Sequence, residues 1–189
     1  VVVWLGILET KVGNLELGET YLREGLSYYR ADLDSGHQRF LMTSLYLAEN
    51  LRTSKQWREA AAILQQAFQI IEKNANELPL EFSDYLRLLG EIHLEGGSPT
   101  EALGVFRRAY SLESSKRPQD RAKLFHMTMH IAIKLREAFQ FSESEEFYRL
   151  ALRDLRTGKA AINIEDELAA TTQLAELLMD MSRLSEAEG

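Results

Sequence analysis

The chain has 189 residues, of which 45% are hydrophobic, an ordinary content for a globular protein and enough to bury a core. Its 29 acidic residues outnumber its 22 lysines and arginines. The net charge of −7 argues against a nucleic-acid partner, whose phosphates require a basic surface. The absence of cysteine excludes disulfides and thiolate metal sites and leaves the cytosol as the default compartment.

The most apolar stretch lies at the start of the chain, over residues 1–8. Glu9 and Lys11 follow it closely, so the run is too short to cross a membrane. No basic segment precedes it and no small-residue cleavage site follows it, although a signal peptide needs both. We therefore expect neither membrane insertion nor a secretion signal.

The spacing of apolar residues predicts helices along the whole chain. Steps of three and four residues, as in Leu64, Ala67, Phe68 and Ile71, have the period of an amphipathic helix and not the alternation of a strand. In chain order this pattern predicts nine helices and no β-sheet, over 1–11, 15–31, 37–53, 57–74, 80–95, 99–114, 119–139, 141–157 and 164–181.

Helix-breaking residues divide these helices into pairs. Gly13-Asn14 and Gly96-Gly97 predict tight turns inside two pairs. Breakers between pairs are predicted at Asp34-Ser35-Gly36, Leu78-Pro79, Arg117-Pro118 and Thr157-Gly158. The chain is therefore predicted to be a series of helical hairpins.

The hairpins repeat every 42 residues. The second hairpin carries Leu47-Ala48, Leu51, Lys55, Trp57 and Glu59-Ala60. The equivalent residues of the first hairpin are Leu5-Gly6, Gly13, Leu15 and Gly18, and those of the third are Leu89-Gly90, His93, Gly97, Pro99 and Glu101-Ala102. In the fourth they are Ile131-Ala132, Leu135, Phe139, Phe141 and Glu143-Ser144. In the fifth they come one residue later, at Leu174-Ala175, Leu178, Leu184 and Glu186-Ala187.

Small residues recur at one place in the first four hairpins, where they let two helices approach closely. We expect Gly18, Ala60, Ala102 and Ser144 to be buried at helix contacts. We interpret Trp57, Phe141 and His93 as packed core residues. Trp57 and Phe141 lie in the turn column, and His93 lies in a column of large residues.

This pattern resembles the tetratricopeptide repeat family, whose unit carries Leu-Ala, an aromatic or leucine, Gly, an aromatic and Glu-Ala in the same order. The usual unit has about 34 residues, and the longer spacing is similar to that of kinesin light chain repeats. The resemblance implies an all-α, tetratricopeptide-like superhelix of about five hairpins in a single domain. The units are approximately 1–34, 35–76, 77–118, 119–161 and an incomplete 162–189. Both ends fall inside a repeat, so we expect a fragment of a longer array, and self-association through exposed array ends stays open.

In that family the first helices of the hairpins line a concave groove that binds a peptide. Carried onto this sequence, the groove positions are Trp4, Ile7, Lys11, Met42, Tyr46, Glu49, Thr53, Asp84, Leu88, Glu91, Glu95, His126, His130, Ile133, Glu137, Gln173, Glu176 and Asp180.

Seven of these groove positions are carboxylates and Lys11 is the single cation among them, which favours a basic or amphipathic partner. Acidic peptides of the kinds that some family members bind are disfavoured, because the basic residues that hold them are missing. In the alternative interpretation, the carboxylates only keep an open array soluble.

No catalytic constellation is present, so we do not expect an enzyme or a cofactor. His126 and His130 lie one helical turn apart, but a metal site would need further ligands, and a groove-lining or pH-sensitive pair is the competing interpretation. The sequence therefore predicts a protein-interaction scaffold or adaptor. The alternative is a peptide-sensing domain that regulates an attached output domain.

Overall fold

A computed structural model describes the backbone of residues 1–31, 33–74, 78–116, 120–156 and 164–187, and the side chains of all of these except 33–37, 74 and 183–187. The described residues form nine α-helices and no strand, which confirms the predicted all-α repeat fold. The helices are α1 (Val2–Val12), α2 (Leu15–Ala31), α3 (Leu33–Thr53), α4 (Trp57–Asn74), α5 (Phe82–Glu95), α6 (Pro99–Ser115), α7 (Arg121–Glu137), α8 (Phe141–Arg156) and α9 (Ile164–Ala187).

One predicted breaker is wrong. Asp34, Ser35 and Gly36 lie inside α3, which begins at Leu33 instead of residue 37. Aspartate and serine are favourable in a first helical turn, where free N–H groups and the helix dipole attract them, so this cluster does not prevent a helix from starting. The breaker at Leu78-Pro79 does lie between α4 and α5, whereas 117–118 and 157–158 fall outside the described residues.

Helix α9 extends beyond its predicted end at residue 181 and ends at Ala187. Residues 182–187 include arginine, leucine, glutamate and alanine, all good helix formers, with no glycine or proline among them. The columns that the register placed at Leu184 and Glu186-Ala187 therefore lie in the same helix as Leu174-Ala175 and not in a second helix of a fifth hairpin.

The chain divides into two compact units, Val1–Gly97 with α1 to α5 and Ser98–Gly189 with α6 to α9. Inside each unit every helix packs against the next one along the chain, as expected for stacked hairpins. The fully buried large side chains of the first unit include Leu22, Phe40, Leu47, Leu51, Leu64 and Phe82, and those of the second include Phe106, Leu135, Phe147 and Tyr148.

The four small residues Gly18, Ala60, Ala102 and Ser144 are all buried, as predicted. The first hairpin needs glycine at this place because two polar side chains occupy the space of a methyl group. A Cβ on Gly18 would lie 2.6 Å from Thr10 Oγ1 and 2.9 Å from Asn50 Nδ2. Asn50 Nδ2 itself donates to Thr10 Oγ1 at 2.8 Å, so α1, α2 and α3 meet through this contact.

Replacing Gly18 by alanine is therefore expected to lower the free energy of unfolding by about 1–3 kcal/mol through overpacking. Gly104, in the interior of α6, provides the control, because a methyl group added to its Cα would have no atom within 4 Å apart from its two chain neighbours and the nearby backbone of its own helix. Gly104→Ala is expected to raise the free energy of unfolding by about 0.5–1 kcal/mol, because alanine loses less backbone entropy in a helix. Urea unfolding followed by circular dichroism measures both. Equal effects of the two variants would contradict the close approach at Gly18.

The turn inside each of the first four hairpins contains a left-handed residue at one register position. Gly13 has φ +92°, Lys55 +61°, Gly97 +74° and Phe139 +59°. Each donates its N–H to the carbonyl three residues earlier. In three of the turns the following N–H also reaches back five residues, which is a Schellman motif that ends the helix: Asn14 to Glu9, Gln56 to Leu51 and Gln140 to Leu135.

Glycine adopts this backbone conformation without strain, whereas an L-residue costs about 1–2 kcal/mol there. Lys55 and Phe139 therefore keep a backbone strain that Gly13 and Gly97 avoid.

Candidate functional site

In the first unit, four predicted groove residues meet in one cavity. Trp4 and Ile7 from α1 and Met42 and Tyr46 from α3 line a cavity of about 400 Å³. Ile7 is buried, Trp4 and Met42 are exposed, and Tyr46 is half-buried. The cavity thus presents apolar side chains from two consecutive first helices.

A second cavity, of about 690 Å³, lies in the second unit and joins α7 to α9. Four predicted groove residues line it, Ile133 and Glu137 from α7 with Gln173 and Asp180 from α9. Its remaining lining residues, which were not among the predicted groove positions, are Arg136, Phe139 and Phe141.

The other predicted positions differ in exposure. Lys11, Glu49, Thr53, Glu95 and His126 are exposed, whereas Asp84, Leu88, His130 and Glu176 are half-buried. Glu91 is only 6% exposed, so it does not offer a free carboxylate to a partner.

Arginines neutralise much of the predicted acidic surface in the first unit. Arg52, at the end of α3, donates to both carboxylate oxygens of Glu95 on α5, with Nε–Oε2 at 2.8 Å. Its Nη2 lies 3.5 Å from Glu91 Oε2 and its Nη1 lies 3.4 Å from Glu49 Oε2. Arg87 also pairs with Glu91, one turn away on α5. The hydrogen bond to Glu95 is the main cause of the raised pKa of Arg52.

Arg136 makes the equivalent bridge in the second unit. Its Nη2 lies 2.7 Å from Asp180 Oδ2, and its Nη1 lies 3.2 Å from Glu176 Oε2 and 3.4 Å from Gln173 Oε1. The hydrogen bond to Asp180 is the main cause of its raised pKa. Arg136 follows Arg52 by 84 residues, which is two repeats. Extending the register beyond the motif columns would have shown that the two arginines share one repeat position, although not which carboxylates they reach.

A separate polar contact joins two of the second helices, α6 and α8. Tyr110 on α6 donates to Asp154 Oδ2 on α8 at 2.6 Å, and Arg153 Nη2 donates to the Tyr110 hydroxyl at 2.6 Å. Burial and the bond to Asp154 raise the pKa of Tyr110 to about 12. The fold therefore favours the neutral phenol.

This raised pKa predicts a loss of stability in alkaline solution. Because a tyrosine ordinarily titrates near pH 10, the contribution of Tyr110 is complete below about pH 10 and is lost as the pH rises toward about 12. We expect Tyr110→Phe to lose less stability than the wild type between about pH 9 and about pH 11.5. Burial also raises the pKa of Tyr148, so part of the alkaline loss should remain. Urea midpoints across this range measure the effect, and parallel pH profiles for the two proteins would contradict it.

Comparison with known proteins identifies the fold. No family model matches the sequence, and no curated protein matches it. Among solved structures, the chain is similar to the nearly identical TPR-like repeats of a putative kinesin light chain from Podosopora anserina, with a TM-score of 0.72 and 16% identity over 99% of this chain and 88% of that one. A variant of the same protein aligns with a TM-score of 0.71, 16% identity and the same coverage. This chain has the TPR-like repeat fold.

Three residues that were predicted to be packed in the core are only half-buried in this TPR-like fold. Trp57 and Phe141 are half-buried, so neither ring is fully enclosed. Each lines a cavity, Trp57 beside Gly96 and Phe141 in the larger cavity of the second unit. His93, also predicted to be packed, is half-buried too and its Nε2 lies 3.1 Å from Gln65 Nε2.

A metal site at His126 and His130 would need further ligands from neighbouring side chains. His126 is exposed and its ring contacts Phe125 edge-on with centroids 5.4 Å apart. Among the residues that the structure describes, no three His, Cys, Asp or Glu side chains are grouped to hold a metal ion. In the same part of the chain, no helix is both long enough and apolar enough to span a membrane.

Proposed function

We propose that this chain is a protein-interaction scaffold that binds a peptide or protein segment along the first helices of its TPR-like hairpins. Two cavities support this function, because each lies between two consecutive first helices and is lined by residues at the expected groove positions. Concave sites with apolar walls and a few polar groups are the usual form of a binding site. The TPR-like fold itself is typically a scaffold for protein interactions.

The exposed charges favour a basic or amphipathic partner. In the first unit the Glu49 and Glu95 side chains are more exposed than that of Arg52, which bridges them. In the second unit the Glu137 side chain is 58% exposed, whereas Arg136 is 25% exposed. The carboxylates therefore face an approaching partner while the guanidinium groups are less exposed. Each of the two clusters also holds three carboxylates and two cations, so the outer surface is acidic.

Peptide selection tests this function. A library of random peptides displayed on phage is selected against the wild-type chain, and the enriched peptides are synthesised and their dissociation constants measured. We expect Met42→Asp or Ile133→Asp to weaken binding about tenfold or more, because a charge replaces an apolar contact in the cavity. Gln66→Asp, on the exposed face of the second helix α4, is the control and should bind as the wild type does.

Two results would overturn this function. One is that selection enriches no peptide. The other is that the enriched peptides bind both cavity variants as tightly as the wild type, which would place the binding face elsewhere. Circular dichroism of each variant shows whether the helices are intact, so that a folding defect is not mistaken for lost binding.

A further inference from the structure

Among the four left-handed turn residues, Phe139 is the one with a large apolar side chain. Its backbone is left-handed, with φ +59°, although a bulky residue rarely adopts this conformation. Phe139 is also 78% exposed, so the free energy gained by burying the ring does not offset the backbone strain. Backbone strain at an exposed aromatic residue is typical of a functional position and is unfavourable for folding alone.

The Phe139 ring belongs to the larger cavity of the second unit. It packs edge-on against Phe141, with ring centroids 6.0 Å apart and planes at 84°. Both rings line the cavity together with Ile133, which is partly exposed on α7. The Arg136–Asp180 ion pair lines the same cavity, so the lining combines aromatic rings with charged groups.

The charged residues of this lining and the residues paired with them carry more accessible negative than positive charge. The carboxylates of Glu137, Glu176 and Asp180 have side-chain exposures of 58%, 44% and 39%. Lys134 and Arg136 pair with them and are less exposed, at 34% and 25%. Three acids and two bases leave one negative charge in excess, and the acids are the groups nearest to solvent.

We propose that this cavity binds a peptide at a large apolar side chain that is followed by lysine or arginine. The apolar side chain packs against Phe139, Phe141 and Ile133, and the cation lies against the exposed carboxylates of Glu137 and Asp180. This inference rests on the proposed scaffold function and names the partner's chemistry at one site. A cavity of about 690 Å³ has room for an aromatic side chain.

The test uses three blocked dipeptides as probes: acetyl-Phe-Lys-amide, acetyl-Phe-Glu-amide and acetyl-Ala-Lys-amide. Each is titrated into the full chain with ¹³C-labelled isoleucine methyl groups, and the Ile133 signal is followed by NMR. For acetyl-Phe-Lys-amide we expect a saturable shift with a dissociation constant on the order of millimolar. We expect binding to be about threefold weaker or worse for each control dipeptide, because one reverses the charge and the other removes the aromatic ring.

Two glycine substitutions separate binding from stability. Phe139→Gly is expected to raise the Tm, because it releases the left-handed strain, and to abolish the Ile133 shift, because it removes one wall of the cavity. Lys55→Gly releases the same strain at the equivalent turn and is expected to raise the Tm without changing the dipeptide titration. Phe139→Asn, which also tolerates the left-handed region, provides a second variant without the ring.

Three outcomes would overturn this inference: no saturable Ile133 shift with acetyl-Phe-Lys-amide, equal affinity for acetyl-Phe-Glu-amide, or unchanged binding in both Phe139 variants. The scaffold function is tested separately. If peptides selected from the random library bind the wild type, lose affinity in Met42→Asp and keep it in Phe139→Gly, the scaffold function stands and the inference about this cavity fails.

Discussion

Replacing Leu135 by alanine is expected to lower the free energy of unfolding by about 2–5 kcal/mol. Leu135 is fully buried in α7, so the truncation removes apolar contacts and leaves a void in the core of the second unit. Ile133→Ala, two residues earlier on the same helix, is expected to cost less than about 1 kcal/mol, because Ile133 is already 36% exposed and borders the cavity.

Urea unfolding followed by circular dichroism compares the two variants directly. The pair removes similar aliphatic side chains from one helix, so helix propensity changes little between them. Equal losses would show that the two faces of α7 are not divided into a core side and a cavity side. In that case the assignment of Ile133 to the binding surface would also be wrong.

The simultaneous substitutions Arg52→Met and Arg87→Met are expected to cost about 3–5 kcal/mol. Glu91 is 6% exposed and pairs with both guanidinium groups, so the double variant removes these two cations from a buried carboxylate. Adding Glu91→Leu is expected to restore most of the lost stability, because apolar side chains replace a buried ion cluster at little cost.

Glu95→Gln is the matched control for this cluster. Glu95 also pairs with Arg52, but its side chain is 38% exposed, and an exposed ion pair contributes only about 0–1 kcal/mol. Chemical denaturation of the double, triple and control variants therefore compares how much a buried and an exposed carboxylate each contribute to the free energy of unfolding. A triple variant no more stable than the double variant would refute the idea that Glu91 depends on these arginines.

The helices and their pairing were predictable from the sequence because helical period and helix-breaking residues are local signals. Apolar steps placed α4 at residues 57–74, as observed, and the small residues Ala60 and Ala102 marked buried helix contacts. The helix breaker predicted at Asp34-Ser35-Gly36 was wrong because the same polar residues that favour turns also favour a first helical turn.

The electrostatics of the surface were not predictable in the same way. The bridges from Arg52 to Glu95 and from Arg136 to Asp180 join residues 43 and 44 positions apart. Whether a long arginine side chain reaches a carboxylate on the next first helix depends on helix rotation and rotamer choice, which a repeat pattern does not contain. For the same reason the sequence pattern did not indicate that Glu91, which the repeat register places in the groove, is buried.

The packing of each helix on its neighbour in sequence has a consequence for the rate of folding. Polar bridges between helices of one unit join residues about one repeat apart, such as Arg23 and Glu59 at 36 positions and Arg136 and Asp180 at 44. Most close contacts lie within one helix or between helices that follow each other along the chain, so few loops longer than one repeat have to close, and chains with such local contacts fold faster than sandwiches with distant strand pairing. A hairpin of this chain is therefore able to act as a folding nucleus from which neighbouring hairpins grow.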